Sequence, residues 1–137
     1  MQLVADTNAI VAALLRKGET RNLLFSKQFE IFAPDRAKLE VLNHKQEFME
    51  KLGLAENQFQ NAVELVFENI AIIPIEEYFA LKQDALFICP EGHKADWPFL
   101  ALALKFKCAL WSQDSGLKKQ AKVKVFSTSE LIKEFQF

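Results

Sequence analysis

The stretch Leu3-Val4-Ala5-Asp6-Thr7-Asn8 decides the fold. Three apolar residues followed at once by an aspartate predict a short core strand that ends at a carboxylate, and the apolar run over residues 9–15 predicts a helix behind it. In an open α/β sheet, ligands collect at the carboxyl ends of the strands, where a helix amino terminus adds positive partial charge. The carboxylate at this junction is therefore a candidate metal ligand.

Strand and helix patterns alternate along the rest of the chain. We expect further strands at residues 30–33, 70–75, 108–111 and 123–126. We expect helices at residues 20–27, 36–52, 55–69, 76–88, 96–107 and 131–135, with a short one near residues 117–119. This alternation predicts an α/β domain with a mainly parallel sheet. A chain of 137 residues without repeats or linkers predicts one domain over residues 1–137.

Composition narrows the possible functions. The net charge of −1 argues against a broadly basic nucleic-acid binder, so any attraction to nucleic acid would come from local patches. Cys89 and Cys108 form no C-x-x-C pair, which argues against a disulfide framework or a zinc knuckle. We interpret Cys89 and His93 as a buried thiol near a surface histidine. No leader pattern or membrane-spanning run is visible, so we expect a cytoplasmic protein without membrane contact.

Acidic residues recur at the predicted strand ends and helix starts. Asp96 precedes the apolar run at residues 97–104, and Asp114 follows the strand predicted at residues 108–111. Each aspartate alone also fits a helix cap. Together with Asp6, however, they can converge at one edge of a parallel sheet. Clustered carboxylates raise one another's pKa and need a cation, and Mg²⁺ or Mn²⁺ can also activate a water against a phosphodiester.

In these segments the chain resembles the PIN-domain ribonucleases, whose small members include the toxins of VapBC toxin–antitoxin pairs. The resemblance covers nearly the whole chain. It lies in Val4-Ala5-Asp6-Thr7-Asn8, in Leu39-Glu40-Val41, in the run from Asp96 through Trp97-Pro98-Phe99 to Leu104, and in Leu110-Trp111-Ser112-Gln113-Asp114. It implies a three-layer α/β/α domain with about five strands, and hydrolysis of RNA by a water that Mg²⁺ or Mn²⁺ activates.

The resemblance also assigns roles to individual residues. The acidic catalytic quartet is Asp6, Glu40, Asp96 and Asp114, of which Asp6, Asp96 and Asp114 would bind metal. Asn8 and Ser112 would orient these carboxylates, and the candidates for RNA phosphate contacts are Arg16, Arg36 and Lys118. Thr7 is interpreted as a helix cap and His44 as a helix-surface histidine. Many relatives carry another acidic residue close to Asp96, where this chain has Lys94-Ala95, so we expect one well-occupied ion instead of two.

Other functions stay open. A PIN-like module that binds nucleic acid or a protein partner with little catalysis is the main alternative. A phosphatase is disfavoured because position 8 is Asn, where aspartyl-phosphatase sites use an acidic residue. An antitoxin partner is compatible with the resemblance. We also expect a homodimer, because Phe48, Phe59, Val63 and Phe67 in the predicted helical hairpin exceed what a domain of this size readily hides.

Overall fold

A sheet of five parallel strands forms the centre of the protein, whose computed structural model describes residues 1–15 and 18–135. The strands are β1 (Gln2–Ala5), β2 (Glu30–Pro34), β3 (Ile70–Ile73), β4 (Ala109–Trp111) and β5 (Val125–Phe126). They lie in the order β3-β2-β1-β4-β5, and each neighbouring pair is parallel. The predicted α/β fold with five parallel strands is confirmed.

Eight α-helices among the described residues flank the sheet. They are α1 (Thr7–Leu15), α2 (Glu19–Phe25), α3 (Asp35–Asn43), α4 (Lys45–Leu52), α5 (Glu56–Glu68), α6 (Lys82–Ile88), α7 (Trp97–Phe106) and α8 (Thr128–Phe135). Helix α7 contacts β1, β2 and β4, whereas α5 contacts β3 and α8 contacts β5. None of the described helices is both long and apolar enough to cross a membrane.

Strand β1 occupies the centre of the sheet because its residues 3–5 are all apolar. None of the three has exposed surface, as expected for a parallel strand that is covered on both faces. Leu3 lies in register with Ile31 of β2 and with Ala109 of β4. Because β1 and β4 are parallel neighbours, the residues that follow them emerge side by side at one edge of the sheet.

The helix predicted for residues 36–52 is instead two helices, α3 and α4, divided at His44. His44 has φ −101° and ψ 17°, outside the α-helical region, and this break changes which side chains face the core. Phe48 on α4 is buried, but Leu39 is 61% exposed and Leu42 is exposed as well. Helix α3 buries Ala37 and Val41 instead.

The segment after β3 also differs from its prediction. Strand β3 ends at Ile73 because Pro74 has no N–H group to donate to a neighbouring strand. The helix predicted for residues 76–88 begins only at Lys82, after two 3-10 turns at Ile75–Glu77 and Phe79–Leu81. Tyr78, between the turns, is buried, and its hydroxyl donates to Asp35 Oδ1 over 2.9 Å. This bond ties the segment to the start of α3.

The four apolar side chains on which the homodimer prediction rests are hidden within the domain. Phe48, Phe59, Val63 and Phe67 are all buried, so the reason given for a homodimer from the sequence is wrong. Helices α4 and α5 pack on each other, and α5 packs on α1 and β3, which covers these side chains. A homodimer stays a prediction, without support from this group of residues.

A network of hydrogen bonds among Trp111, Gln113 and Thr128 joins the end of β4 to the start of α8. Trp111 is fully buried, and its Nε1–H donates to Thr128 Oγ1 over 3.0 Å. Gln113 Nε2 donates to the same hydroxyl over 3.0 Å, and the Thr128 N–H donates to Gln113 Oε1. Ser127 and Glu130 exchange backbone-to-side-chain hydrogen bonds, which form a capping box at the start of α8. This network fixes the direction of the chain just beyond β4.

We expect Thr128→Val to lower the free energy of unfolding by about 1–3 kcal/mol, because the buried Trp111 N–H would lose its acceptor. Thr128→Ser keeps the hydroxyl and is the matched control, with an expected cost below about 1 kcal/mol. Urea unfolding followed by Trp fluorescence measures both values. Equal losses for the two variants would show that the hydrogen bond contributes nothing.

Candidate metal centre

The candidate site begins where β1 and β4 end. The Asp6 N–H donates to the Trp111 carbonyl over 2.8 Å, which continues the pairing of the two strands by one step. Beyond that point the Ser112 hydroxyl donates to Asp6 Oδ2 over 2.8 Å. The sheet topology thus joins two sequence motifs that lie more than a hundred residues apart in the chain.

The Asp6 carboxylate is removed from water, with only 6% of the residue exposed. Its Oδ1 accepts a hydrogen bond from the Thr7 N–H over 2.8 Å. The pKa of Asp6 is raised to about 6, mainly by desolvation on burial and also by the negative charges of Asp96 and Glu40, against the lowering effect of the Ser112 hydrogen bond. Ionisation of Asp6 is therefore unfavourable unless a cation lies nearby.

Asn8 and Ser112 connect the ends of the two strands. Asn8 Nδ2 lies 3.3 Å from both Asp6 Oδ2 and Ser112 Oγ, and its Oδ1 accepts from the Gln113 N–H over 3.0 Å. Ser112 Oγ also accepts from the Asp114 N–H over 3.0 Å. These contacts are those expected of residues that orient the two aspartates.

Thr7 does not fill the predicted capping role. Its hydroxyl oxygen is buried and has no hydrogen-bond partner among the described residues.

Three side chains meet in a cluster beside Asp6, and we call it the His–Asp cluster: His93, Asp96 and Asp114. One possible ligand atom from each lies within 4.8 Å of the other two, and these are the residues in the described part of the chain that group in this way. His93 Nδ1 is 3.4 Å from Asp96 Oδ2 and 3.3 Å from Asp114 Oδ2. The cluster therefore offers one nitrogen and two carboxylate donors in a small volume.

The two aspartates of the cluster have different local surroundings. Asp114 Oδ1 accepts from the Gly116 N–H over 2.9 Å, so this residue does cap the 3-10 turn Ser115–Lys119. Asp96 precedes α7 but makes no capping bond through its side chain, contrary to the simplest interpretation of its position. Burial raises the pKa of Asp96, which the His93 imidazole opposes. The Asp96 carboxylate is thus available to the cluster.

His93 is the site residue that the sequence interpretation missed. It was expected on the surface beside Cys89, but only 21% of its side chain is exposed, and it lies between two carboxylates. The available signal was its position three residues before Asp96, because one helical turn or 3-10 turn brings such residues together. The neighbours of His93 in the folded protein are Asp96 and Asp114.

Gly116 provides the space for the imidazole ring. A Cβ at this position would lie 2.4 Å from His93 Nε2 and 3.0 Å from Asp114 Oδ1, closer than real Cβ contacts. Any side chain at position 116 would therefore displace the ring or the turn. The ring position depends on this glycine.

Glu40 lies at the border of the cluster, where its charge raises the pKa of both Asp6 and Asp96. Arg36 Nε lies 2.9 Å from Glu40 Oε1, and Arg36 Nη1 donates to the Ala95 carbonyl over 2.8 Å. One guanidinium thus ties α3 to the loop that carries Asp96.

The other two basic candidates are less informative. Lys118 is paired with Glu130, which offsets its charge. Arg16 lies outside the described residues.

The donor set of the His–Asp cluster suits a divalent cation. Carboxylate oxygens bind Mg²⁺ and Mn²⁺, and imidazole nitrogen adds affinity for transition metals. The buried charge of Asp6 nearby favours a positive ion in the same place. The residues present therefore fit a metal site.

The fold has a counterpart among solved structures. A chain in the crystal structure of VapBC2 from Rickettsia felis, bound to a DNA fragment from their promoter, superimposes with a TM-score of 0.63. The alignment covers 93% of this chain and 98% of the other, at 16% sequence identity, which is a likeness of fold. No curated protein matches the sequence.

The family is shown by the sequence itself. Residues 4–134 match the family described as PIN domain. This range includes each residue of the His–Asp cluster as well as Asp6 and Glu40. The chain belongs to the PIN domain family.

Proposed function

We propose that this protein is a metal-dependent ribonuclease that hydrolyses RNA phosphodiester bonds through Asp6, Glu40, Asp96 and Asp114. The observation that carries the proposal is the concentration of carboxylates around the buried Asp6, beside the His–Asp cluster at the carboxyl edge of the sheet. Burial above all, and then the charges of Asp96 and Glu40, raise the pKa of Asp6 to about 6. Membership of the PIN domain family supports the same activity.

Some of these residues would bind the metal ion, and others orient the carboxylates that bind it. Asp96 and Asp114 would hold Mg²⁺ or Mn²⁺ together with Asp6. When bound, the ion supplies a water activated for attack on phosphorus and positive charge for the phosphate oxygens. Ser112 and Asn8 keep the Asp6 carboxylate in one orientation through their hydrogen bonds.

Glu40 would supply a further carboxylate at the border of the metal site. Arg36 fixes it through the contact at 2.9 Å, and in this position it is suited to accept a proton from the attacking water. The Arg36 side chain is itself 44% exposed, so it is the best supported of the three candidates for an RNA phosphate contact.

We propose further that the ribonuclease acts as the toxin of a toxin–antitoxin pair. The likeness of fold to a chain of the Rickettsia felis VapBC2 complex supports it, and an antitoxin protein would then be a partner. Residues Leu39, Leu42 and Leu65 leave apolar surface on α3 and α5 that a partner protein or a second copy of the chain could cover.

Incubation of the purified protein with mixed RNA and Mn²⁺ tests the activity. We expect cleavage by the wild type and a loss of roughly 100-fold or more for Asp6→Asn and Asp114→Asn, since each removes a charge from the metal site. Asp84→Asn is the matched control. Asp84 is an exposed carboxylate on α6 that lines a groove with Leu104, at the far end of α7 from Asp96.

Wild-type protein that binds Mn²⁺ and RNA but never cleaves the strand would contradict the enzyme proposal. Tight RNA binding in EDTA that Asp6→Asn leaves unchanged would instead favour the alternative, a binding module with the same fold.

The pKa of Asp6 predicts an unusual pH dependence of stability. Because the folded-state pKa is raised from 3.8 to about 6, stability from this group is present below the lower value and is lost as the pH rises through the upper one. In EDTA at neutral pH, Asp6→Asn should therefore be more stable than the wild type by about 1–3 kcal/mol. The advantage should shrink as the pH falls from about 6 towards 4. A variant less stable than the wild type at neutral pH would show that Asp6 is mainly structural.

Metal should stabilise the folded protein by mass action. We expect saturating Mn²⁺ to raise the thermal midpoint of the wild type by several degrees and to have a much smaller effect on Asp96→Asn and Asp114→Asn. Differential scanning fluorimetry with and without EDTA gives the shifts, and Asp84→Asn should behave as the wild type does. Equal shifts in all four proteins would locate the ion elsewhere.

A further inference from the structure

We infer that His93 binds the metal ion directly through Nδ1, with Asp96 and Asp114, and that this nitrogen makes the site prefer a first-row transition-metal ion such as Mn²⁺ to Mg²⁺. The inference rests on the metal site of the proposed function, and it adds one ligand, His93, to the carboxylates of that site. A site of carboxylates alone suits both Mg²⁺ and Mn²⁺ and would show a smaller preference for a transition metal.

The separations of the three side chains fit a shared ion. Metal–ligand bonds of about 2.0–2.2 Å at angles of about 90–110° place neighbouring ligand atoms about 3.0–3.5 Å apart. His93 Nδ1 lies 3.4 Å from the Asp96 oxygen and 3.3 Å from the Asp114 oxygen. These two separations therefore match two edges of one coordination polyhedron.

A simple ion pair explains the same geometry less well. Hydrogen bonds between a charged nitrogen and a carboxylate are usually about 2.7–2.9 Å long. The imidazole nitrogen is farther than that from both carboxylates and nearly equidistant from them. A nitrogen that lies at nearly the same distance from two carboxylate oxygens has the position expected of a third ligand to one ion.

The surroundings of the ring support the same orientation. Nδ1 faces the two carboxylates, and Nε2 faces Gly116, where a Cβ would come within 2.4 Å. Binding through Nδ1 requires the tautomer with hydrogen on Nε2. The turn Ser115–Lys119, capped by Asp114 itself, thus holds the ring from behind and supplies a ligand in front.

The choice of donor has a direct chemical consequence. Mg²⁺ prefers oxygen ligands and releases its waters reluctantly, whereas imidazole favours transition metals. A histidine beside two carboxylates therefore raises affinity for Mn²⁺, Fe²⁺, Co²⁺ or Zn²⁺ more than for Mg²⁺.

Pulsed EPR of the full-length protein loaded with Mn²⁺ tests the inference without any measurement of activity. Electron spin echo modulation from ¹⁴N should appear in the wild type and disappear in His93→Asp. The chain has only two histidines, so His44→Gln is the matched control and should keep the nitrogen signal. In competition titrations, the preference for Mn²⁺ over Mg²⁺ should fall by about 10-fold or more in His93→Asp.

A second variant keeps the test independent of the histidine itself. Gly116→Ala retains His93 but displaces the ring, so it should weaken Mn²⁺ binding and reduce the nitrogen modulation. Mn²⁺ bound to the wild type without nitrogen modulation would overturn the inference and leave the proposed carboxylate site intact. A wild type that binds no Mn²⁺ would overturn both.

Discussion

Burial of the Asp6 carboxylate is the constraint on which the rest of the site depends. Strand β1 is covered on both faces, so the residue that ends it is also withdrawn from water. Hydrogen bonds from Ser112, Asn8 and the Thr7 backbone N–H do not compensate for that withdrawal, and the charges of Asp96 and Glu40 oppose ionisation further. The fold therefore keeps at its centre a negative charge that only a proton or a cation neutralises well.

The surrounding hydrogen bonds give this charged region a fixed shape. Asn8 connects the ends of β1 and β4, and the hydrogen bond between Trp111 and Thr128 lies directly behind them. Arg36 joins the helix that carries Glu40 to the loop before α7. Side chains held by such neighbours lose little entropy when a ligand binds, so the protein has paid the cost of ordering the site during folding.

The sequence was informative where residue type and local pattern determine the outcome. Continuous apolar runs predict buried parallel strands, and an aspartate at the end of such a run predicts the acidic edge that contains Asp6 and Asp114. The break at His44 was not visible, because apolar spacing continues through it. The burial of Phe59 depends on which helices cover it, and neither spacing nor composition contains that information. His93 was assigned to the wrong neighbour because tertiary folding, and not its distance from Cys89 in the chain, decides its contacts.

The strand order has a consequence for how the protein is made. The hydrogen bond between Asp6 and Ser112 joins residues 106 positions apart, because β1 pairs with β4 at the centre of the sheet. During synthesis the first motif leaves the ribosome long before its partner exists. A nascent chain that has not reached position 114 cannot assemble the site, and long-range pairing of this kind is also slow to form. Chains that terminate before position 114 therefore lack the site altogether.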